Sequence, residues 1–289
     1  MGHHGAMAFP LCSAADLRDA LDSVILLDAR PRADYEAGHL PGARHADPER
    51  DLSAAGQEGH DPAKGGRHPL PPLRAFCATV GRWGVTPGAR VVVYDSSGGG
   101  NAAARAWWML RALGMEGVQV LDGGLSAALE AGLTLTREIP GTKPEEPFPA
   151  ARWHSTTAEM DIVAKLARHA DWKVLDVRSR ERFRGETEPF DPAAGHIPGA
   201  VNLPWSENLG PDGRFKSAED LRALYGPLTE GLRPDHLVVH CGSGVTACHT
   251  LLALELAGFR GPEGEAPALY VGSWSEWCRS GREQATGDA

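Results

Sequence analysis

The residues best suited to chemistry lie in one stretch, "LVVHCGSGVTACHT", which runs from Leu237 to Thr250. An apolar run stops at Cys241, a loop containing Gly242 and Gly244 follows, and helix-forming residues begin after it. Where a parallel strand hands over to a helix, the junction lies at the carboxyl edge of the sheet, the edge at which open α/β folds bind ligands. Two glycines let the backbone curl so that several N–H groups point inward, and the helix adds the positive end of its dipole. Such nests hold anions, and loops of this kind favour a thiolate over a thiol. A lone cysteine in a soluble chain is more often buried packing. The strand–Cys–Gly-x-Gly–helix context reverses that expectation and makes Cys241 the expected nucleophile.

Two chemistries use a cysteine so placed. Phosphate-ester cleavage needs His-Cys-(x)5-Arg, because the arginine neutralises the phosphoryl transition state. Here His240 and Cys241 begin that pattern, but Ala247 stands at the arginine position. The other chemistry is sulfur transfer, in which a thiolate attacks a sulfane sulfur, forms a persulfide and hands the sulfur on.

The elements that would position this loop occur twice. "VILLDARPRADYEAGHLPGA" (24–43) and "VLDVRSRERFRGETEPFDPAAGHIPGA" (174–200) share an apolar strand, Asp-x-Arg, and Gly-His-(Leu/Ile)-Pro-Gly-Ala. "ARVVVYDSSGGG" parallels "DHLVVHCGSGV", and "VLDGGLSAAL" parallels "LYVGSWSEW". Asp28 and Asp176 are 148 residues apart, Asp95 and Cys241 146, Gly123 and Gly272 149, and Gly38 and Gly195 157, so the second copy gains about nine residues before its Gly-His. This is a duplicated domain; solenoid repeats are much shorter. A first domain over 8–138 and a second over 153–285 are expected, joined by a proline-rich linker, 139–152. In each half, runs such as "RVVVYD" and "HLVVHC" are too apolar for half-exposed strands and suit a parallel sheet covered on both faces. The expected fold class is α/β, with a central parallel sheet flanked by helices in each copy. Thr156-x-x-Glu159 reads as a capping box, and Ser13-x-x-Asp16 and Ser217-x-x-Asp220 as weaker versions.

Composition bounds the partners. The 289 residues carry a net charge of -9, which argues against a broad nucleic-acid footprint. No apolar run is long enough to span a bilayer. The N-terminal "MGHHGAMAFP" lacks an apolar signal core and reads as an expression remnant. Cys12, Cys77, Cys241, Cys248 and Cys278 form no CxxC pair, so neither a disulfide framework nor a zinc site is expected. That usage fits a reducing compartment, the cytoplasm.

With "CGSGVTA" in the second copy, "GHIPGA" there and its counterpart in the first, "RFRG" upstream and "GSWSEW" near the end, the chain resembles the two-domain rhodanese-like sulfurtransferases from about Ser13 to Cys278. The resemblance implies that the second domain is catalytic and the first an inactive copy, in agreement with Asp95 at the position equivalent to Cys241. It implies no metal and no organic cofactor, a small-molecule sulfur donor, and as acceptor a thiol such as thioredoxin, a small thiol, or cyanide. Thiosulfate-using members typically carry two cations just after the cysteine. Gly242 and Ser243 stand there instead, and the neutral loop resembles that of the 3-mercaptopyruvate sulfurtransferases. By the same resemblance Ser243 works in a relay with His68 of "GGRHPLP" and with Glu49, where relatives commonly have aspartate and Asp51 lies near. Gly242, Gly244, Val245 and Thr246 line the donor loop. Arg182 holds the donor carboxylate, with Arg184 in support. Relatives often have a second arginine in an "EPR" segment, whereas Phe190 and Asp191 occupy that place here, and an inward Asp191 would repel the donor.

Other readings stay open. Thiosulfate could be the donor, and many rhodanese-like domains are non-catalytic binding or regulatory modules. Asp28/Arg30, Asp176/Arg178, His39 and His196 recur in both copies and read as structural, Cys248 as buried, and one of Trp107 and Trp108 as core. Trp274 could flank the pocket.

Overall fold

Runs of valine, isoleucine and leucine form the interiors of two all-parallel sheets in the computed structural model, which describes residues 9–98, 102–141, 143 and 145–288. Residues 1–8 of the expected expression remnant, Gly99 and Gly100 of "DSSGGG", and Thr142 and Pro144 of the linker lie outside the described residues. The first sheet holds β1 (Leu11–Cys12), β2 (Ile25–Asp28), β3 (Arg44–His45), β4 (Val91–Tyr94) and β5 (Val118–Leu121) in the order β1-β5-β4-β2-β3. The second holds β6 (Lys173–Asp176), β7 (Val201–Asn202), β8 (Leu237–His240) and β9 (Ala268–Leu269) in the order β7-β6-β8-β9. Stripped of β1, the first order is the second repeated. β4 and β8 are buried at every position, as central strands covered on both faces must be.

Helices flank both sheets. The first half contributes α1 (Ala14–Ala20), α2 (Arg32–Ala37), α3 (Leu73–Arg82), α4 (Ala102–Ala112) and α5 (Gly124–Glu130). The second contributes α6 (Met160–Leu166), α7 (Arg180–Phe183), α8 (Ala218–Thr229), α9 (Ala247–Leu256) and α10 (Ser273–Trp277). Leu17 of α1 packs with Leu26, Val92 and Leu121 of the first sheet, and Val163 of α6 with Val174 and Val238 of the second. Trp107 and Trp108 are both buried, a departure from the expectation of one, because α4 is covered nearly all round.

The repeated motifs do the same structural work in each half. Arg30 donates through Nη2 to Asp28 Oδ2 at 2.6 Å and to the Gly38 carbonyl at 2.7 Å; Arg178 makes the same bonds to Asp176 and Gly195 at 2.6 and 2.7 Å. His39 stacks on Tyr35 and His196 on Phe183, each with Nδ1 at the carbonyl of the residue it stacks on. These groups pin the chain that follows β2 and β6.

One expectation needs correction. Thr156-x-x-Glu159 is not a capping box: α6 starts at Met160 with no side-chain cap, and the Thr156 carbonyl accepts from Leu269 N–H at 3.1 Å. Thr157 bridges Leu269 in parallel, doing for β9 what β1 does for β5, so this stretch is extended. Grouped by compactness, the chain forms two units. Residues up to Leu52 form one compact unit with Pro72–His154, whereas Ser53–Pro71 belongs with Ser155 onward. The proline-rich linker packs on the first unit: Glu145 and Phe148 N–H donate to the carbonyls of Gly81 and Cys77 in α3, and Trp153 stacks on Phe76.

Candidate active site

β8 delivers Cys241 one residue past its last pairing with β6, His240 opposite Asp176. Successive side chains alternate along a strand, and the His240 ring is fully buried, with Nε2 3.8 Å from Asp176 Oδ2. Burial pushes its pKa down, which keeps the ring neutral and structural. Cys241 is 3% exposed, a narrow access that suits a small donor.

The two loop glycines serve different needs. Gly244 has φ +75°, and a side chain there would meet the Val271 carbonyl. Gly242 makes no such backbone demand. A Cβ on it would lie 3.0 Å from Arg182 Nη2 and 3.2 Å from Arg67 Nη2, so its bareness lets two guanidiniums approach the loop. The segment around α10 ties the loop back. Cys241 N–H donates to Ser273 Oγ at 3.2 Å, Trp274 N–H to the Cys241 carbonyl at 3.1 Å, and Ser275 N–H to the Gly242 carbonyl at 2.9 Å. Ser273 holds φ +53°, a conformation that costs a non-glycine residue about 1–3 kcal/mol, and its hydroxyl donates to the Tyr270 carbonyl. With these carbonyls drawn to one side, the N–H groups of Ser243, Val245 and Thr246 have no acceptor among the described residues. They are left to an anion at the start of α9.

The cations around the loop form one network. Arg182 forks Glu188 at 2.7–3.1 Å, and Glu188 also meets Arg178 at 3.2 Å. Arg178 interacts electrostatically with Cys241. Arg67 Nε lies 3.2 Å from Asp191 Oδ1, which also accepts from Arg279 at 2.8 Å, while Asp191 Oδ2 is 4.0 Å from Arg182. Four guanidiniums (Arg67, Arg178, Arg182, Arg279) face three carboxylates (Asp176, Glu188, Asp191), which leaves one positive charge in excess. Phe190, 61% exposed, carries the Arg67 and Arg182 guanidiniums at 5.2 and 5.1 Å from its ring centroid.

Arg67 is the residue that sequence reasoning missed. It comes from Ser53–Pro71, the segment grouped with the second unit, and is fixed there by its own N–H on Ser275 Oγ at 3.0 Å and by Gly65 N–H on Glu276 Oε1 at 2.8 Å. Asp191 is corrected with it. Its carboxylate is wholly buried and anchors Arg67 and Arg279, so it supplies cations to the loop and does not stand as a bare repulsive charge.

The remaining expected residues fall as follows. Arg182 is at the loop, Val245 and Thr246 are half-buried beside it, and the Ser243 hydroxyl makes no hydrogen bond among the described residues. His68 follows Arg67, half-buried, before Pro69, whose carbonyl accepts from Ala54 N–H. Arg184 is not brought to the loop: it pairs with Glu186 at 2.7 Å and lines a separate cavity with Arg180 and Asn202. In the first unit, Glu49 N–H donates to Asp47 Oδ1 at 3.0 Å, and the Asp51 carboxylate is taken by Asp47 N–H and Arg82. Trp274 is fully buried behind the loop, donating to the Ala193 carbonyl, and Cys248 is buried against Gly244.

Comparison with known proteins agrees with this architecture. A Rhodanese-like domain description matches residues 13–131 and again 159–280. A probable 3-mercaptopyruvate sulfurtransferase of Pseudomonas aeruginosa is 45% identical over 88% of this chain and 86% of its own length. The human 3-mercaptopyruvate sulfurtransferase is 36% identical over 88% of the chain and 81% of its own. A thiosulfate sulfurtransferase of Azotobacter vinelandii is 35% identical over 91% and 92%. Among solved structures, Escherichia coli SseA, described as a 3-mercaptopyruvate sulfotransferase of the "Rhodanese" fold, superposes with a TM-score of 0.73 at 30% identity, covering 92% of this chain and 99% of that one. The chain belongs to the rhodanese family, as a tandem of two rhodanese-like domains of which the second carries the cysteine.

Proposed function

We propose that the protein is a sulfurtransferase that takes sulfur from 3-mercaptopyruvate through a Cys241 persulfide. The observation that carries this reading is the pair of guanidiniums, Arg67 and Arg182, over Gly242 beside a loop of open amides. A carboxylate held by two such forks is fixed in orientation, and its sulfur is left to reach the cysteine. The Cys241 thiolate attacks the donor sulfur; an S–S bond forms, the C–S bond breaks, and the electron pair stays on carbon as the enolate of pyruvate. The proton carried by the donor thiol is returned to that carbon, giving pyruvate and the enzyme persulfide. Ser243, supported by His68, is the proposed proton route. The open N–H groups stabilise the persulfide anion, as oxyanion donors stabilise oxygen. Attack on the outer sulfur by an acceptor thiolate, of thioredoxin or a small thiol, yields the acceptor persulfide and restores the Cys241 thiolate; cyanide gives thiocyanate. The reaction fits a cytoplasmic setting. Among the described residues no helix is long and apolar enough to cross a membrane.

Mass spectrometry tests the core step: 3-mercaptopyruvate adds one sulfur to the protein, and Cys241→Ser does not take it up. A Cys241→Ser protein that still mobilises sulfur would overturn the reading. The same arginine pair suits a small dianion, which favours thiosulfate as the second reading. The ratio of kcat/KM for the two donors decides between them. In the first reading Arg67→Gln lowers kcat/KM for 3-mercaptopyruvate about 10- to 100-fold, the loss of one charged hydrogen-bond partner.

A further inference from the structure

The first unit holds a cavity of about 520 Å³ whose wall carries Arg32, Arg44, Arg50, Arg82 and His45, with Tyr35 and Trp83 beside them. None of these belongs to the loop of Cys241. We propose that this cavity is a binding site for a small polyanion of the phosphate or diphosphate type.

Charge is the first argument. Arg32 is balanced by Asp47 at 3.4 Å and Glu36 at 3.7 Å, and Arg82 by Asp51 at 3.2 Å. Arg44 meets no carboxylate; its hydrogen bond goes to the Trp83 carbonyl. Arg50 has no side-chain partner among the described residues. Arg44 and Arg50 thus lack a carboxylate partner, and the four guanidiniums against Glu36, Asp47 and Asp51 leave one positive charge in excess, in a chain of net charge -9. Guanidinium stays charged at any physiological pH, so the excess is permanent, and the two forks without a carboxylate partner are left to the oxygens of an anion.

Construction is the second argument. Arg44 leaves β3 half-buried, and its Nη1 lies against Gly84, where a Cβ would come within 2.9 Å; Gly84 itself sits at φ +65°. The Trp83 indole N–H donates to the His45 carbonyl at 3.0 Å, His45 Nε2 lies 2.9 Å from the Arg30 carbonyl, and the His45 ring stacks on Tyr35 at 4.8 Å. The cationic arm and both rings are therefore held before any ligand arrives, which lowers the ordering cost of binding. The volume exceeds that of one phosphate group and leaves room for an organic portion against Trp83, Tyr35 and Pro140.

Calorimetric titration of the full chain with inorganic pyrophosphate tests the proposal. The expected result is saturable binding at one site per chain, weakened at least about tenfold in Arg44→Gln/Arg50→Gln and unchanged in Arg182→Gln. The double variant keeps its sulfurtransferase turnover. If that variant fails to fold, Arg50→Glu, a change at an exposed side chain, must weaken binding by the same order. No saturable binding, several weak sites per chain, or binding lost in Arg182→Gln and kept in the double variant would each overturn the proposal, the last by placing the anion at the Cys241 loop.

Discussion

The central strands of the two halves are followed by different residues at equivalent places, β4 by Asp95 and β8 by Cys241, and the side chains there separate two kinds of loop. Asp95 accepts from Ser97 N–H through Oδ1 at 2.8 Å and from Ala103 N–H through Oδ2 at 3.1 Å, so the first loop engages an anion of its own. The second loop presents a sulfur and leaves the N–H groups of Ser243, Val245 and Thr246 to a ligand. The cations differ in the same sense. Asp34 occupies, six residues after Asp28, the place that Arg182 occupies after Asp176. Yet Asp28/Arg30 and Asp176/Arg178 keep matching bonds, as do the two stacked histidines. What both copies share is the frame; only the second places a cysteine and open amides at the end of its central strand.

Exchanging the two side chains gives the largest expected effect. Cys241→Asp should reduce sulfur transfer to background while the circular dichroism spectrum is unchanged, because an aspartate already fits that junction once. Asp95→Cys should confer no activity on a Cys241→Ser protein, since Asp34 stands in the first copy where Arg182, the proposed donor-holding arginine, stands in the second. Turnover from that double variant would show that the frame alone suffices and would break the comparison.

Acid should distinguish the halves next. Counting back nine residues from Gly114 and Gly258, which follow α4 and α9, His249 corresponds to Arg105. Burial holds the His249 pKa down to about 3, and its Nδ1 accepts from the Asn208 amide, so the folded ring is neutral. The unfolded chain takes up a proton below about pH 6.5. The stabilisation is therefore complete above pH 6.5 and lost as pH falls toward 3, at about 1.4 kcal/mol per pH unit. Arg105 does not titrate in this range. Urea unfolding at pH 6.5 and 4.5 should show a loss of about 2 kcal/mol that His249→Gln removes. An equal slope in that variant would assign the acid sensitivity elsewhere.

A smaller effect is expected from Asp191→Asn. Arg67 and Arg279 lose their shared counter-charge, and the variant should lose about 2 kcal/mol of stability and about tenfold in kcat/KM for the donor. Among the described residues the first half shows no carboxylate shared in this way by three arginines, so an Asp191→Asn protein with unchanged kcat/KM would mean that Arg67 is held by Ser275 and Phe190 alone.

Asp191 also marks where the sequence stops being legible. The place of Cys241 at the end of a central strand, its glycines and the duplicated frame could be read because they rest on local order: strand, cysteine, glycine, helix. Arg67 could not be read, because its partners Asp191, Ser275 and Phe190 lie in the other half of the chain sequence, and nothing near "GGRHPLP" shows that this segment packs with the second unit. The roles of the two glycines were merged for a related reason. A positive φ at Gly244 is a local demand, whereas the need for bareness at Gly242 comes from guanidiniums on distant elements. Thr156 failed as a cap because a parallel bridge to Leu269 claims the backbone there, a tertiary demand that overrides a four-residue pattern.

The caps that do form allow the finest comparison. Ser13 Oγ accepts from Asp16 N–H at 3.1 Å and donates to Asp16 Oδ2 at 2.6 Å; Ser217 Oγ does the same with Asp220 at 3.1 and 2.7 Å. The geometry is the same, but one cap opens a helix of 7 residues and the other a helix of 12. A cap satisfies the same orphan N–H whatever the helix length, so Ser13→Ala and Ser217→Ala should each cost about 1 kcal/mol in urea unfolding. If Ser13→Ala costs clearly more, the shorter helix depends on its first turn in a way that α8, anchored by Leu221 and Tyr225 in the core, does not. The equivalence of the two halves would then hold for hydrogen bonds without extending to the energies those bonds supply.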